Sequence, residues 1–207
     1  LGPDCQIDHH ASVAAYTTIG RGGHLWPFAA VGGEPQDLKF EGERSELIIG
    51  ENVRIREFAT LNRGTRHGGG VTRVGDNCMF MAYSHVAHDC QIGDHVVMAN
   101  GVALAGHVII EDHVGVGGLV AVHQFTRIGR YCFVGGTSGV AQDLPPFCLC
   151  EGNRAKTHGL NTVGLKRAGF SEETLAALKK AYAIVFRTRT PIAKALAQVE
   201  AEVPDLP

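Results

Sequence analysis

Histidine side chains are the residues of this sequence best suited to chemistry near neutral pH. Eleven occur in 207 residues, and the stretch His85-Val-Ala-His88-Asp89 combines two of them with a carboxylate, while His107 and His123 follow downstream. An imidazole with a pKa close to neutrality serves as a general base, and an adjacent carboxylate fixes its tautomer and stabilises the imidazolium. We therefore expect Asp89 to assist His88 in accepting a proton.

A metal centre is the competing interpretation of these histidines. Neutral imidazole is a good ligand for zinc, and the spacing His85-x-x-His88 offers two such groups. No glutamate or third close histidine completes a ligand set in the sequence, so we predict that no metal binds. Other histidines are interpreted as polar residues of turns: His9, His10, His24, His95 and His113.

The cysteines indicate neither a zinc site nor a disulfide framework. Six occur without a Cys-x-x-Cys spacing, namely Cys5, Cys78, Cys90, Cys132, Cys148 and Cys150. In a reducing compartment such residues behave as small buried hydrophobes. Cys90 lies two residues after His88, where a nucleophile is conceivable, but its place in the repeat described next predicts a buried thiol.

An apolar residue at every sixth position determines the predicted fold. Twelve residues spaced six apart are all apolar: Val74, Phe80, Val86, Ile92, Met98, Leu104, Ile110, Val116, Val122, Ile128, Val134 and Val140. This period matches neither an α-helix nor a simple alternating strand, but it matches short strands separated by turns, three of which make one triangular coil. The sequence therefore predicts a mainly β protein built as a parallel β-helix of the hexapeptide type.

The same period extends upstream and stops near two prolines. It runs through Ile7, Val13, Ile19, Leu25 and Val31, and then through Ile49, Ile55 and Leu61. We predict a solenoid over residues 1–146, with insertions at 33–46 and 63–73 that project as loops from a corner, where binding is common.

Helix signals replace the period after Pro146. Ser171 precedes two glutamates and an apolar stripe, which is typical of a helix N-cap, and Thr190-Pro191 begins a second helix that ends before Pro204. We predict a truncated C-terminal α-helical domain over residues 147–207, which covers the end of the solenoid.

Stacking of the coils brings the reactive residues together. Successive coils lie about 4.8 Å apart, so residues that are three hexads apart in sequence lie above one another. This places Gly106 above His88, Gln124 above Gly106 and His107 above Asp89. Because Gly106 has no side chain, its backbone N–H is left free to receive an oxyanion. We predict a patch within roughly 10 to 12 Å that contains His85, His88, Asp89, His107, His123 and Gln124.

Composition argues against several classes of protein. The net charge is −2, and the chain has no stretch of about 18 apolar residues, so we predict neither nucleic-acid binding nor an integral membrane segment. The first residues lack the charged and apolar regions of a signal peptide, which predicts a cytoplasmic protein. The chain begins with Leu1 rather than Met, which indicates an incomplete or processed reading frame.

Six motifs along the chain resemble those of one enzyme family. They are Gln36-Asp37-Leu38-Lys39, His85-Val-Ala-His-Asp-Cys90, Leu104-Ala-Gly-His-Val108, Ala121-Val-His-Gln-Phe125, Val134-Gly-Gly136 and NTVGLKRAGF at 161–170. In this order they are similar to the motifs of UDP-N-acetylglucosamine O-acyltransferases, which begin lipid A biosynthesis. The resemblance covers nearly the whole chain. It implies further N-terminal coils and a longer tail than this sequence contains, and Phe40 stands where tyrosine is common.

The resemblance implies a fold, an assembly and a reaction. It implies a left-handed β-helix and a homotrimer with active sites in the clefts between neighbouring subunits. The reaction moves an (R)-3-hydroxyacyl group from the thioester of acyl carrier protein to the glucosamine 3-hydroxyl of UDP-N-acetylglucosamine, with no cofactor and no acyl-enzyme. By this resemblance His88 is the general base, Asp89 orients it, and the N–H of Gly106 stabilises the oxyanion.

The resemblance also implies roles for further residues. Asp37 and Lys39 would hold the sugar and the donor, and His85 and His107 would contact sugar or acyl groups. The UDP portion would bind to His123, Gln124, Asn161 and Arg167. Gly136, together with Met81, would measure the length of the acyl chain. The acidic carrier protein would dock on the basic residues Arg154, Lys156, Lys166 and Arg167.

Two other functions remain open from the sequence. The paralogous UDP-3-O-acylglucosamine N-acyltransferase is also a hexapeptide trimer with a catalytic histidine, but it usually carries a separate N-terminal uridine-binding domain and is not expected to contain the Gln36–Lys39 loop. A noncatalytic or metal-dependent hexapeptide trimer is the alternative from a different class. Bound metal and acyl transfer to UDP-N-acetylglucosamine are the measurements that separate these functions.

Overall fold

The computed structural model describes residues 1–204, which form a three-sided β-helix followed by helices. The strands of the first coils are β1 Gln6–Ile7, β2 Ser12–Val13, β3 Thr17–Ile19, β4 His24–Leu25, β5 Ala30–Gly33, β6 Glu46–Ile49, β7 Arg54–Ile55 and β8 Thr60–Asn62. The middle coils contain β9 Val71–Val74, β10 Met79–Phe80, β11 His85–Val86, β12 Gln91–Ile92, β13 Val97–Met98, β14 Ala103–Leu104 and β15 Ile109–Ile110. The last strands are β16 Gly115–Val116, β17 Ala121–Val122, β18 Arg127–Ile128, β19 Phe133–Val134, β20 Gly139–Val140, β21 Cys148–Glu151 and β22 Lys156–Leu160. The helices are α1 Thr162–Arg167, α2 Glu172–Phe186 and α3 Ile192–Glu202, with a 3-10 helix at Arg66–Gly68.

Every third strand joins the same face of the prism. The nine-stranded sheet runs β1-β4-β7-β10-β13-β16-β19-β21-β22, the seven-stranded sheet β2-β5-β8-β11-β14-β17-β20, and the six-stranded sheet β18-β15-β12-β9-β6-β3. Neighbouring strands are parallel except β21 and β22. In the uninterrupted coils each residue pairs with the residue three hexads further along the chain, as His85 does with Ala103 and Ala103 with Ala121. The predicted coil length is therefore confirmed.

The apolar period forms the core of the solenoid. All twelve residues of the period from Val74 to Val140 are buried, with at most 4% of their surface exposed. Two upstream positions predicted to point into the core are instead exposed, Ile7 by 38% and Val13 by 36%. They lie in the first coil, below which the structure has no further coil to cover them.

The two interruptions of the period are loops between strands. The first joins β5 to β6 through residues 34–45, and the second joins β8 to β9 through residues 63–70 and contains the 3-10 helix. Arg63 forms an ion pair with Glu34 at 3.2 Å, and the backbone N–H of Arg66 donates to Glu43 at 3.0 Å. The two loops therefore pack on each other.

One residue with a left-handed backbone conformation lies at each turn of the coil. Asp89, His95, His107 and His113 have φ between 57° and 61°. Because the same turn recurs in every coil, side chains at equivalent positions stack, as His113 does between His95 and Tyr131 with ring centroids 4.6 Å apart. This stacking offsets part of the cost of the left-handed conformation.

The stacked histidines give the fold a dependence on pH. Burial lowers the pKa of His113, and charge on His95 lowers it further, against the opposing effect of Asp112 and Asp94. Below about pH 6.5 the unfolded chain therefore binds more protons than the folded chain at this residue, so the free energy of unfolding decreases as the pH falls through this window. Urea unfolding at about pH 7.5 and about pH 5.5 is expected to show a smaller decrease in a His113→Phe variant, which keeps the stacking. An equal decrease in both proteins would contradict this assignment.

Strands continue past the two prolines before the helices begin. β21 and β22 extend the nine-stranded sheet to Leu160, because Cys148 and Cys150 still point into the core after the period has ended. The predicted helical region of residues 147–207 thus opens with a strand pair, and residues 205–207 lie outside the described part.

The C-terminal helices begin and end at the predicted signals. The Ser171 side chain accepts a hydrogen bond from the N–H of Thr174 at 3.0 Å as the cap of α2, and α3 begins after Pro191 and ends before Pro204. None of the helices within residues 1–204 combines the length and the apolar character needed to span a bilayer.

Candidate active site

His88 and Asp89 form a hydrogen-bonded pair at the turn after β11. Nδ1 of His88 lies 2.8 Å from Oδ2 of Asp89, whose side chain is fully buried, while 14% of the His88 side chain is exposed. A carboxylate only accepts hydrogen bonds, so Nδ1 carries the proton of this bond. Nε2 of His88 is therefore left as a proton acceptor that substrate can reach.

The imidazole of His88 lies against the backbone of Gly106 in the next coil. A Cβ atom at residue 106 would lie 2.5 Å from Cε1 and 2.7 Å from Nε2 of His88, so any other residue would displace the ring. The backbone N–H of Gly106 donates no hydrogen bond to any of residues 1–204. A proton acceptor and a free amide donor thus lie side by side, as acyl transfer through an oxyanion requires.

The second loop closes over Asp89 from the other side. The backbone N–H of Thr65 donates to Oδ1 of Asp89 at 2.8 Å, and the Thr65 hydroxyl donates to Oδ2 at 2.6 Å. The hydroxyl of Thr72 accepts a bond from the Asp89 N–H at 2.8 Å. Sequence reasoning missed both threonines, although the insertion at 63–73 was the signal that a loop lies next to this coil.

His107 and His85 flank the pair. Nε2 of His107 lies 3.8 Å from Oδ2 of Asp89, and the His107 ring stacks on Phe125 at 4.5 Å. Nδ1 of His85 lies 2.7 Å from the hydroxyl of Thr60. Burial lowers the pKa of His85, and charge on His88 lowers it further. His85 is therefore suited to hydrogen bonding in its neutral form.

His123 and Gln124 lie one coil above Gly106 and are exposed. Nδ1 of His123 lies 3.0 Å from the carbonyl oxygen of Gln124. The six residues of the predicted patch thus share the corner that joins the seven-stranded and six-stranded sheets, with His88, Asp89 and His107 in closest contact. The vertical alignment of His88, Gly106 and Gln124 is as the coil length predicts.

A metal fits this corner less well than a hydrogen-bonded pair. His88, Asp89 and His107 offer ligand atoms within 4.8 Å of one another, and His85 is not part of this group. However, Oδ2 of Asp89 already accepts bonds from the Thr65 hydroxyl and from His88. An ion would have to replace one of them, so these contacts favour acid–base chemistry.

Cys90 is a buried thiol, as its place in the repeat predicts. Burial raises the pKa of Cys90 to about 12, and its Sγ donates to the carbonyl oxygen of Ala105 at 3.2 Å. A thiol in this state is not a nucleophile near neutral pH. All six cysteines are free, and all but Cys5 are buried.

Asn161 and Arg167 lie at a different corner of the same chain. The side chain of Asn161 donates to the carbonyl oxygen of Tyr131 at 3.0 Å and caps α1 by accepting from the N–H of Gly164 at 3.1 Å. Tyr131 lies at the corner between the six-stranded and nine-stranded sheets. Arg167 is exposed beside Asn161 in a groove of about 300 Å³. One chain alone does not bring these residues to His88.

Gly136 and Met81 lie at the third corner, between the nine-stranded and seven-stranded sheets. Gly136 is exposed, and a Cβ there would lie 3.2 Å from the carbonyl oxygen of Gly118, which requires only a small adjustment. Met81 lies at the equivalent turn about three coils below. These two residues share a corner with each other but not with His88.

Asp37 and Lys39 lie on the first loop. The backbone N–H of Lys39 donates to the Asp37 side chain at 3.0 Å, and Leu38 between them is fully exposed. Among residues 1–204, neither side chain forms a hydrogen bond or ion pair with the histidine corner. The loop that carries them contacts the second loop, which holds Asp89.

Comparison with known proteins identifies the family. A family described as UDP N-acetylglucosamine O-acyltransferase, domain 2, matches residues 143–207, and the bacterial transferase hexapeptide repeat matches residues 72–106. The acyl-[acyl-carrier-protein]–UDP-N-acetylglucosamine O-acyltransferase of Anaeromyxobacter sp. (strain Fw109-5) is 54% identical over 92% of this chain and 74% of that protein. The chain belongs to the UDP-N-acetylglucosamine O-acyltransferase family.

Solved structures of this family have the same fold. LpxA from Acinetobacter baumannii superimposes with a TM-score of 0.95 at 39% identity, covering 98% of this chain and 79% of that chain. The UDP-N-acetylglucosamine acyltransferase from Campylobacter jejuni gives a TM-score of 0.93 at 40% identity, covering 99% and 79%. The predicted left-handed parallel β-helix with a C-terminal helical part is confirmed. The O-acyltransferase names do not favour the paralogous N-acyltransferase.

Proposed function

We propose that this chain transfers an (R)-3-hydroxyacyl group from acyl carrier protein to the 3-hydroxyl of UDP-N-acetylglucosamine, the first step of lipid A biosynthesis, without a cofactor. The observation that carries this proposal is the position of the His88 imidazole, bonded through Nδ1 to Asp89 and lying against Gly106. Membership of the O-acyltransferase family supports the choice of substrates.

The geometry supports direct attack by the sugar. Nε2 of His88 accepts the proton of the 3-hydroxyl as its oxygen attacks the thioester carbonyl carbon, and Asp89 stabilises the resulting imidazolium. The carbonyl oxygen becomes an oxyanion that accepts a hydrogen bond from the N–H of Gly106. When the C–S bond breaks, the imidazolium returns its proton to the thiolate of the carrier. The products are the 3-O-ester and the free carrier thiol.

A homotrimer would unite residues that lie at separate corners of one chain. Asn161 and Arg167 are one corner away from His88, and Gly136 and Met81 are at the third, so a cleft between two copies is needed to combine a base, a UDP site and an acyl groove. Asp37 and Lys39 would reach the sugar and donor across the same cleft. Large apolar side chains at the corners favour such contacts, with Leu119 exposed by 69% and Phe125 by 66%.

The remaining substrate contacts follow the same proposal. His85 and His107 would contact the sugar or acyl group, and His123 and Gln124 the UDP portion. The acidic carrier would dock on the exposed residues Arg154, Lys156 and Arg167. Lys166 forms an ion pair with Glu172 at 2.8 Å and would have to exchange it for the carrier. A cytoplasmic location stays a prediction and agrees with the six free thiols.

A comparison of acceptors tests the proposed function. The protein is incubated with an (R)-3-hydroxyacyl carrier protein and either UDP-N-acetylglucosamine or its deacetylated 3-O-acyl derivative, with and without a metal chelator. We expect an ester only with UDP-N-acetylglucosamine, at a rate that the chelator leaves unchanged. Amide formation on the second acceptor would favour the N-acyltransferase, and loss of activity with the chelator would favour a metal-dependent enzyme.

Gly136→Met is expected to shift the preference of the enzyme to shorter acyl donors. By this proposal the acyl chain passes Gly136, which is exposed and lies beside Gly118, so a methionine side chain there would fill part of the space that a long acyl chain needs. Each methylene excluded from an apolar groove removes about 0.8 kcal/mol, or roughly a fourfold preference. Rates with carrier thioesters of graded length measure this shift, and unchanged selectivity would contradict the proposed role of Gly136.

A further inference from the structure

The Asp89 carboxylate is held by the second loop, which is an insertion and not part of the hexapeptide repeat. Thr65, on the second loop, is 1% exposed and places two donors on the Asp89 carboxylate, its N–H at 2.8 Å and its hydroxyl at 2.6 Å. Gly68 packs so closely on this carboxylate that a Cβ atom would lie 1.9 Å from Cγ of Asp89. The second loop therefore packs closely around the Asp89 carboxylate.

The direction of each hydrogen bond in this group is determined. The N–H of Gly68 donates to the Thr65 hydroxyl oxygen at 3.2 Å, so the hydroxyl hydrogen is left to point to Asp89. Oδ2 of Asp89 then accepts both from Thr65 and from Nδ1 of His88. The hydrogen bonds therefore run from Gly68 to Thr65 and from Thr65 to the Asp89 carboxylate, which also accepts the hydrogen bond from Nδ1 of His88.

We infer that Thr65 is a positioning residue that sets the tautomer and the basicity of His88. This inference rests on the proposed function, in which Nε2 of His88 is the general base. By fixing the rotation of the carboxylate, Thr65 keeps the proton on Nδ1 and the lone pair of Nε2 towards substrate. By sharing the negative charge of Oδ2, it also limits how strongly Asp89 favours the imidazolium.

Loss of the hydroxyl has an expected signature in catalysis. Thr65→Val keeps the shape of the side chain and the backbone donor but removes the bond to Oδ2. We expect kcat to fall about 10-fold to 100-fold, as for a lost bond to a charged group, while KM for both substrates stays within about twofold. Thr65→Ser restores the hydroxyl and is expected to recover most of the rate.

The pH profile separates positioning from a general structural effect. A carboxylate that has lost one donor stabilises the His88 imidazolium more strongly, so the acidic limb of kcat moves to higher pH in Thr65→Val. The other titratable groups that contact or act on His88 are His85 on β11 and His107 in the next coil. Arg66 and His67 follow Thr65 on the 3-10 helix. All of these are unchanged in the variants.

Thr126→Val is the matched control. Thr126 is a buried threonine that makes no bond to Asp89, and the residue one coil below it is already a valine, Val108. Valine at residue 126 is therefore expected to pack well and to leave kcat and its acidic limb unchanged. Thermal melting identifies any variant that fails to fold, in which case Thr65→Ala replaces Thr65→Val with the same expectation. A Thr65→Val enzyme with a wild-type rate and pH profile, or a slower one that serine does not rescue, would overturn the inference. Absence of acyl transfer to UDP-N-acetylglucosamine by the wild-type protein would instead refute the proposed function.

Discussion

His88→Ala is expected to lower kcat for acyl transfer by about 10²-fold to 10⁴-fold, which is the contribution of a positioned general base. In the wild-type chain Nε2 of His88 is the proton acceptor beside the free N–H of Gly106. Alanine removes this group but leaves the bonds from Thr65 to Asp89 in place, so the fold is retained. Rates are measured with a saturating (R)-3-hydroxyacyl carrier protein and UDP-N-acetylglucosamine, alongside thermal melting and molar mass.

His95→Ala provides a matched control for the loss of a histidine. His95 also lies at a turn with a left-handed backbone and stacks on another histidine, but at a different corner of the prism. We expect its variant to keep the wild-type rate with, at most, a slightly lower melting temperature. Wild-type turnover in His88→Ala would refute the assignment of the base, whereas equal losses in both variants would indicate a general effect of removing corner histidines.

Gly106→Ala is expected to reduce kcat by about 10²-fold to 10³-fold, as much as the loss of an oxyanion donor costs, because its methyl group displaces the His88 imidazole and hinders access to the N–H that alanine still carries. Its Cβ would lie 2.5 Å from Cε1 of His88, closer than non-bonded atoms approach, so the imidazole must move away. This one methyl group thus disturbs both the base and access to the N–H of residue 106. The measurement is kcat with the same two substrates, together with the melting temperature.

Gly159→Ala is the control for this change. Gly159 lies in β22, where a Cβ atom would have no neighbour among the described residues within 4 Å. The Gly159→Ala variant should therefore retain full activity. If Gly106→Ala were as active as Gly159→Ala, the contact between the His88 ring and the glycine backbone would have no catalytic meaning.

Much of the fold and part of the site follow from the sequence because a solenoid repeats one local rule. The apolar residue at every sixth position identifies the core, and a coil of three such hexads then places Gly106 on His88 without any knowledge of distant contacts. The same rule places His107 beside Asp89. Such predictions succeed because the contacts between coils depend on spacing alone.

The features that the sequence did not predict are those that do not repeat. Thr65 reaches Asp89 through an insertion, and the path of an insertion depends on its own hydrogen bonds rather than on the period. Asn161 was expected to bind substrate, which stays a prediction, and the structure shows it capping a helix and donating to Tyr131, which comes from a different coil. Ile7 fits the period but is exposed, since it lies in β1, the edge strand of its sheet, and no strand within residues 1–204 covers its outer side.

The intact mass of the protein after exposure to the acyl donor tests direct attack by the sugar, without an acyl-enzyme, most directly. The protein is mixed with (R)-3-hydroxyacyl carrier protein in a single turnover, first without and then with UDP-N-acetylglucosamine. We predict an unmodified protein and an intact thioester until the nucleotide sugar is added, and then one equivalent of the 3-O-ester for each thioester consumed. A mass increase of one acyl group on the protein, or no ester after the sugar is added, would contradict the account.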